Sequence, residues 1–226
     1  MLSTMPDIAA FDFDGTLTDG GSVFTFLSAV AGRRAVAAAS ASLSPALARA
    51  ALAGGAAADD TKERLFRRVL AGVEADRLEA VSRRFAEEHL TGHLRHDVHA
   101  RYLWHQRRGD HLVIVSASPE AYIAHAGRIL GAEHVVATRL AVEDGRLTGG
   151  YEGRNCRGEE KLRRLEAWTD TLDEPGARLW AYGNSRGDLR MLGAADVGVN
   201  VGRLGALGRL RDYPGIAAAQ ESTAAG

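Results

Sequence analysis

Ile8-Ala9-Ala10-Phe11-Asp12-Phe13-Asp14-Gly15-Thr16-Leu17-Thr18 is the stretch from which the rest of the chain is read. Residues 8–13 are a short apolar run interrupted only by Asp12, which predicts a buried strand. Asp12 and Asp14 stand two residues apart at its carboxyl end, the end at which open parallel sheets bind their ligands. In a regular strand the two carboxylates would point to one face. Gly15 predicts that the chain is already turning there, which displaces Asp14 from Asp12. Taken alone, the same residues also describe a strand followed by an Asp-Gly turn.

Outward from this stretch, apolar segments recur. Residues 111–116 read as a second strand, followed by a helix opening at Pro119. Residues 135–142 and 146–152 flank Asp144-Gly145 and read as a hairpin. Residues 179–182 and 197–201 are further strands, and helices are expected over 119–130, 159–168 and 185–192. Strands alternating with helices predict an α/β fold, a doubly wound parallel (Rossmann-like) sheet with helices on both faces. Residues 22–107 break the rhythm: they read as helical, with a break at Gly54-Gly55 and Asp59 as an N-cap before the helix at 61–70. The expected organisation is a catalytic core of residues 1–21 and 108–216, a helical cap of 22–107 inserted after the first strand, and a flexible tail of 217–226.

Three further segments supply what a phosphate site needs. Ser116-Ala117-Ser118 ends the second strand, where a hydroxyl and backbone N–H groups can hold phosphate oxygens. Ser118 also reads as an N-cap before Pro119. Lys161 lies in the first turn of a helix, where its ammonium can neutralise phosphoryl charge. Gly183-Asn184-Ser185-Arg186-Gly187-Asp188 puts an amide oxygen at the end of another strand and a carboxylate one helical turn later. Such oxygen ligands suit magnesium.

The order and spacing of these four segments resemble the haloacid dehalogenase superfamily, in particular its phosphoserine phosphatase-like group, which carries a helical cap just after the first motif. The resemblance implies a magnesium-dependent phosphatase acting on a small phosphomonoester through an aspartyl phosphate. By it, Asp12 is the nucleophile and Asp14 the general acid and then base. Ser116 and the Ala117 amide bind phosphate, and Lys161 steadies nucleophile and phosphoryl group. Mg2+ is held by Asp12, the backbone carbonyl of Asp14, Asn184 and Asp188. Asn184 departs from the pattern, since most relatives carry a metal-binding aspartate there. Gly21 stands where phosphoserine phosphatases have a glutamate that meets the substrate ammonium. Arg68 resembles their cap arginine for the substrate carboxylate, and equally reads as a surface arginine on an amphipathic helix. The apolar residues Val23, Phe24, Phe26, Leu27 and Val30 suit a lipid-like phosphate or ordinary cap packing. A phosphotransferase or mutase, or a homologue that only binds ligands, would use the same residues.

Bulk properties exclude other classes. Lys and Arg number 28 against 29 Asp and Glu, so no global field favours nucleic acid or a membrane surface. The longest uncharged run, 35–48, falls short of the roughly 20 residues a membrane span needs. Charged residues occupy the N-terminus where a signal peptide would be apolar, and the single cysteine, Cys156, suits a reducing compartment; a cytoplasmic protein is expected. His89 and His93 share a helix face at a spacing that can bind zinc, although a solvated face is the simpler reading. The sequence says nothing of oligomeric state.

Overall fold

The computed structural model describes residues 6–46, 48, 55–202 and 213–216. Gly54 and the expected tail at 217–226 lie outside the described residues.

Five strands form one parallel sheet: β1 (Ile8–Phe11), β2 (His111–Pro119), β3 (His134–Thr138), β6 (Leu179–Gly183) and β7 (Val197–Asn200), in the order β3-β2-β1-β6-β7. β1 is the centre, with Phe11 opposite Ile114 of β2 and Tyr182 of β6. Chain order reverses at β1: β2 and β3 extend one way, β6 and β7 the other. The crevice beyond the carboxyl ends of β1 and β6 is therefore the topological switch point, where such sheets bind ligands.

The alternation of strand side chains divides the core in two. Ala9 and Phe11 face one layer, which holds Tyr102 of helix α5 (His96–Arg108) and Tyr122 of helix α6 (Glu120–Leu130). Ile8 and Ala10 face the other, with Leu165 of helix α7 (Glu159–Thr169) and Met191 of helix α8 (Leu189–Ala194). Phe11 stacks on Tyr182 at 4.3 Å between ring centroids and meets Tyr102 at 5.1 Å. Each such buried side chain contributes roughly 1.5–3 kcal/mol.

Between β1 and β2 stand helices α1 (Val23–Ala31), α2 (Arg33–Ser42), α3 (Gly55–Leu70) and α4 (Ala75–His93), followed by α5. The insert begins and ends on a stem. Thr18 bridges Leu94, the Asp19 amide donates to the His93 carbonyl at 2.8 Å, and the Arg95 amide donates to the Leu17 carbonyl at 2.9 Å. Buried Arg95 clamps the stem by donating to the carbonyls of Gly15 at 2.9 Å and Val201 at 2.7 Å. Helix α5, expected within the cap, packs on the sheet instead: His105 shares a hydrogen bond of 2.8 Å with the Tyr182 hydroxyl of β6.

Other expectations are also corrected. Residues 135–142 do not form one hairpin arm. The run divides at Arg139: β3 pairs in parallel with β2, and only β4 (Leu140–Glu143) pairs antiparallel with β5 (Arg146–Tyr151). Asp59 is not an N-cap, because α3 starts at Gly55 in the small-residue run before it. The β4–β5 hairpin packs on α3 so closely that a Cβ at Gly149 would lie 2.5 Å from the Arg67 Cα. Among the described residues no helix is long and apolar enough to cross a membrane.

Candidate active site

Asp12 directly follows β1, and its amide donates to the Tyr182 carbonyl at 2.9 Å, so the sheet ladder itself fixes the residue. The chain then turns tightly. Thr16 and Thr18 amides both return to the Phe13 carbonyl, at 3.2 and 3.0 Å, and Gly15 takes φ +78°, a left-handed value that favours glycine. The Thr16 hydroxyl donates to Asp12 Oδ2 at 3.0 Å. The turn sends Asp14 elsewhere, as the sequence predicts: its Oδ1 accepts the Ser22 amide at 2.7 Å and its Oδ2 accepts the Ser118 hydroxyl.

Lys161 reaches the same place from the first turn of α7. Its ammonium donates to Asp12 Oδ1 and to Asp188 Oδ1, each at 2.6 Å, and all three side chains are buried. Burial first, and then the Asp188 charge, push Asp12 up to about 7 against the pull of Lys161. Burial acts to lower the Lys161 pKa, but the two carboxylates outweigh it and hold the ammonium above its ordinary value. Asp188 closes the 3-10 turn Arg186–Asp188, and its Oδ2 accepts the Asn184 amide at 3.2 Å, the Ser185 amide at 2.9 Å and the Ser185 hydroxyl at 2.7 Å. Gly183 makes room for it: a Cβ there would sit 2.5 Å from the Asp188 Cβ.

Ser116-Ala117-Ser118 lies on β2 where the register with β3 shifts, between Val115 and Pro119. The bulge re-aims the backbone. Ser116 Oγ accepts the Ser118 amide at 3.1 Å, which leaves its own proton to donate. Ser118 is not an N-cap; its hydroxyl is committed to Asp14, and Pro119 precedes the helix. Asp12, Asp14, Lys161, Asn184, Asp188 and the Ser116–Ser118 turn thus share one hydrogen-bonded neighbourhood. Arg68 does not join it, since its guanidinium donates to the Ser42 hydroxyl at 2.6 Å within the cap. Lys62, on the same helix, was not singled out from the sequence, yet it reaches this segment and donates to the Ala117 carbonyl at 2.6 Å.

The donor set fits a hard divalent cation. Asn184 Oδ1 is buried and has no hydrogen-bond partner among the described residues, on the residue whose backbone N–H donates to Asp188 Oδ2. A buried amide oxygen left unpaired is costly, and a cation satisfies it. The Asn184 amide packs against Gly15 so tightly that a Cβ at Gly15 would lie 2.0 Å from its Nδ2. Among the described residues no group of three His, Cys, Asp or Glu is poised for a metal. That includes His89 and His93, whose rings stack at 4.6 Å while His93 Nδ1 lies 2.8 Å from Asp19. Nor is the histidine stretch simply solvated: His89 and His105 are buried. Cys156 is a buried thiol pushed up to about 11 by desolvation, so it is no nucleophile.

A model of the haloacid dehalogenase-like hydrolase family matches residues 9–193. Protein CicA of Caulobacter vibrioides is 38% identical over 193 residues, 84% of this chain and 84% of that protein. A histidinol-phosphatase of Neisseria meningitidis serogroup C is 30% identical over 130 residues, 54% of this chain and 57% of that one. A solved structure of a phospho-aspartyl intermediate analogue of phosphoserine phosphatase shares the fold, with a TM-score of 0.62 at 19% identity, covering 88% of this chain and 87% of that one.

Proposed function

The chain belongs to the haloacid dehalogenase-like hydrolases, and on that premise we propose that it is a magnesium-dependent phosphatase of a small phosphomonoester, with Asp12 as the nucleophile. The observation that carries the reading is the double hydrogen bond of Lys161 to Asp12 and Asp188, together with the unpaired Asn184 oxygen.

Asp12, Asp188, Asn184 and the Asp14 backbone carbonyl would hold Mg2+, which supplies charge to offset the phosphoryl oxygens. An Asp12 oxygen attacks phosphorus as the bond to the leaving oxygen breaks. Asp14 gives that oxygen its proton, so the alcohol leaves neutral. Asp14 then takes a proton from water, the water oxygen attacks phosphorus, and the bond to Asp12 breaks to release phosphate. Splitting hydrolysis in this way replaces one hard step with two easier ones. Lys161 holds Asp12 in place and offsets its repulsion from the phosphate dianion, while the Ser116 hydroxyl and Ala117 amide position the phosphoryl group. We place the cap over this crevice at residues 22–94, of which 47 and 49–54 lie outside the described residues.

The substrate is small. In α1, Phe26, Leu27 and Val30 are buried in the core, which leaves Phe24 as the exposed large apolar side chain of that helix. Neither reader of phosphoserine is in position: Gly21 carries no carboxylate and Arg68 is bound to Ser42. A small phosphorylated metabolite other than phosphoserine is the substrate class this favours.

Phosphate release from p-nitrophenyl phosphate, with Mg2+ and with a chelator, tests the proposal. Release is expected with Mg2+ alone, without an added acceptor, and is abolished in Asp12→Asn. Turnover that survives in Asp12→Asn, or transfer that needs an acceptor alcohol, would overturn it.

A further inference from the structure

We infer that Lys62 is a catalytic residue, the cap's own contribution to the phosphoryl-binding site. The inference rests on the phosphatase reading.

Lys62 projects from α3 onto Ala117, the middle of the turn expected to bind phosphate. An ammonium has three donors. Lys161 spends two of its three on Asp12 and Asp188. Lys62 spends one on the Ala117 carbonyl, which also accepts the Thr138 hydroxyl at 2.9 Å; the ammonium also lies 5.6 Å from the centroid of the Phe66 ring, and its other two donors make no hydrogen bond among the described residues. Lys62, on the cap, thus keeps more free donors than Lys161 in the core. It lies in the field of the Asp14 carboxylate, the group assigned to the leaving oxygen, and comes from the cap helix α3, whereas Lys161 comes from the core helix α7.

A purely structural latch is the competing account. Another residue already fills that role. Asp59, on the same helix, accepts the Asn155 amide at 2.7 Å and lies 3.5 Å from the Arg157 guanidinium, which ties α3 to the segment leading into α7. Lys62 adds nothing that this pair lacks as a tie. What it adds is a cation, partly withdrawn from water between α3 and the turn, where a charge acts more strongly than in solvent. The groups facing it are Asp14 from the first turn, Asp59 from its own helix, and Arg157 and Cys156 from the loop before α7. Burial brings Lys62 down to about 8 against the carboxylates, so it stays mostly charged at neutral pH. The phosphate pocket is then complete only while α3 rests on the turn, which couples cap position to the charge of the substrate.

The test uses the full chain with Mg2+ and p-nitrophenyl phosphate, and inorganic phosphate as a competitive inhibitor. Lys62→Met keeps the apolar stem and removes the charge; it is expected to lower kcat/KM about 10²-fold, as loss of one donor to a developing charge does. It should weaken phosphate inhibition by about 10-fold or more, the value of one hydrogen bond to a charged group. Lys62→Arg should keep most of both. The advantage of wild type over Lys62→Met should shrink as pH rises through about 8. Asp59→Asn, which loosens the latch and leaves the cation, should keep wild-type phosphate inhibition. Wild-type kcat/KM and phosphate inhibition in Lys62→Met would overturn the inference, as would Asp59→Asn reproducing its defect. Inactivity of the wild-type chain would instead overturn the phosphatase reading beneath it. Thermal melts of each variant separate unfolding from loss of charge, and Lys62→Gln replaces Lys62→Met if the latter melts early.

Discussion

The Ser118 hydroxyl is hydrogen-bonded to the Asp14 carboxylate, joining two turns 104 residues apart. With the Ser22 amide on the other oxygen, Asp14 is held from both sides. An acid that must be aimed at a leaving oxygen benefits from such support. Ser118→Ala is therefore expected to slow hydrolysis of alkyl phosphates by about tenfold, part of the roughly 10²–10⁴-fold that acid–base help is worth. Aryl phosphates, whose leaving groups need less protonation, should slow less. Measuring kcat on one ester of each kind decides it, and an equal drop on both would count against the assignment.

Lys161 sits between two buried carboxylates. Lys161→Met leaves both without a counter-charge, and breaking a buried pair in this way costs about 3–5 kcal/mol. Denaturant melts in chelator should show that loss, and adding Asp12→Asn should recover part of it. Full additivity of the two substitutions would mean that the pair is not coupled.

Asn184→Asp restores a charge where the resemblance expects one. It places a third carboxylate beside Asp12 and Asp188, so the metal-free protein should melt lower than wild type and gain more from added Mg2+. Melting temperature against Mg2+ concentration reads both effects. A half-saturation no lower than that of wild type would remove Asn184 from the metal site.

His105 is fully buried between Asp110 and the Tyr182 hydroxyl. Burial lowers its pKa below 6.5, more than Asp110 raises it. The unfolded chain thus binds this proton more readily than the folded one. The stabilisation is fully present above pH 6.5 and is lost as pH falls below it. Glu160 adds a second loss at lower pH: Arg163 first, then Arg164 against the opposing effect of burial, hold it at about 2, so its contribution fades between about 4.5 and 2. Unfolding free energy against pH should fall in these two windows, and His105→Gln should remove the loss in the first; because, against the effect of burial, His105 also helps hold the Asp110 carboxyl below its ordinary value, the variant should differ from wild type in the acid range as well.

Much of this was legible in the sequence because it is local. The strand ends, the Asp-Gly turn, the helix carrying Lys161 and the Asn184–Asp188 segment each announce themselves within a few residues. What was not legible depends on neighbours distant in the chain. Ser118 has the sequence of an N-cap, and only the bulge in β2 and the turn at Gly15 bring Asp14 to it. Lys62 looks like any helix-surface lysine until α3 is laid on the Ser116–Ser118 turn. Arg68 is six residues further along the same helix and faces Ser42 instead. The break at Arg139 has no local signature because β3 and β4 are both strand, and only pairing distinguishes a sheet edge from a hairpin.

The stem at Thr18 and Leu94 has a consequence for how such a protein changes over time. An insertion whose entrance and exit lie side by side can be lifted out and replaced as one cassette, with no strand of the sheet disturbed. Substrate range can then be rewritten by exchange of a single contiguous stretch, while Asp12, Ser116, Lys161 and Asp188 stay as they are. The contact of Lys62 with Ala117 sets the condition on that freedom. A transplanted cassette has to bring a cation of its own to the same turn, and grafts between relatives can be chosen by that single requirement.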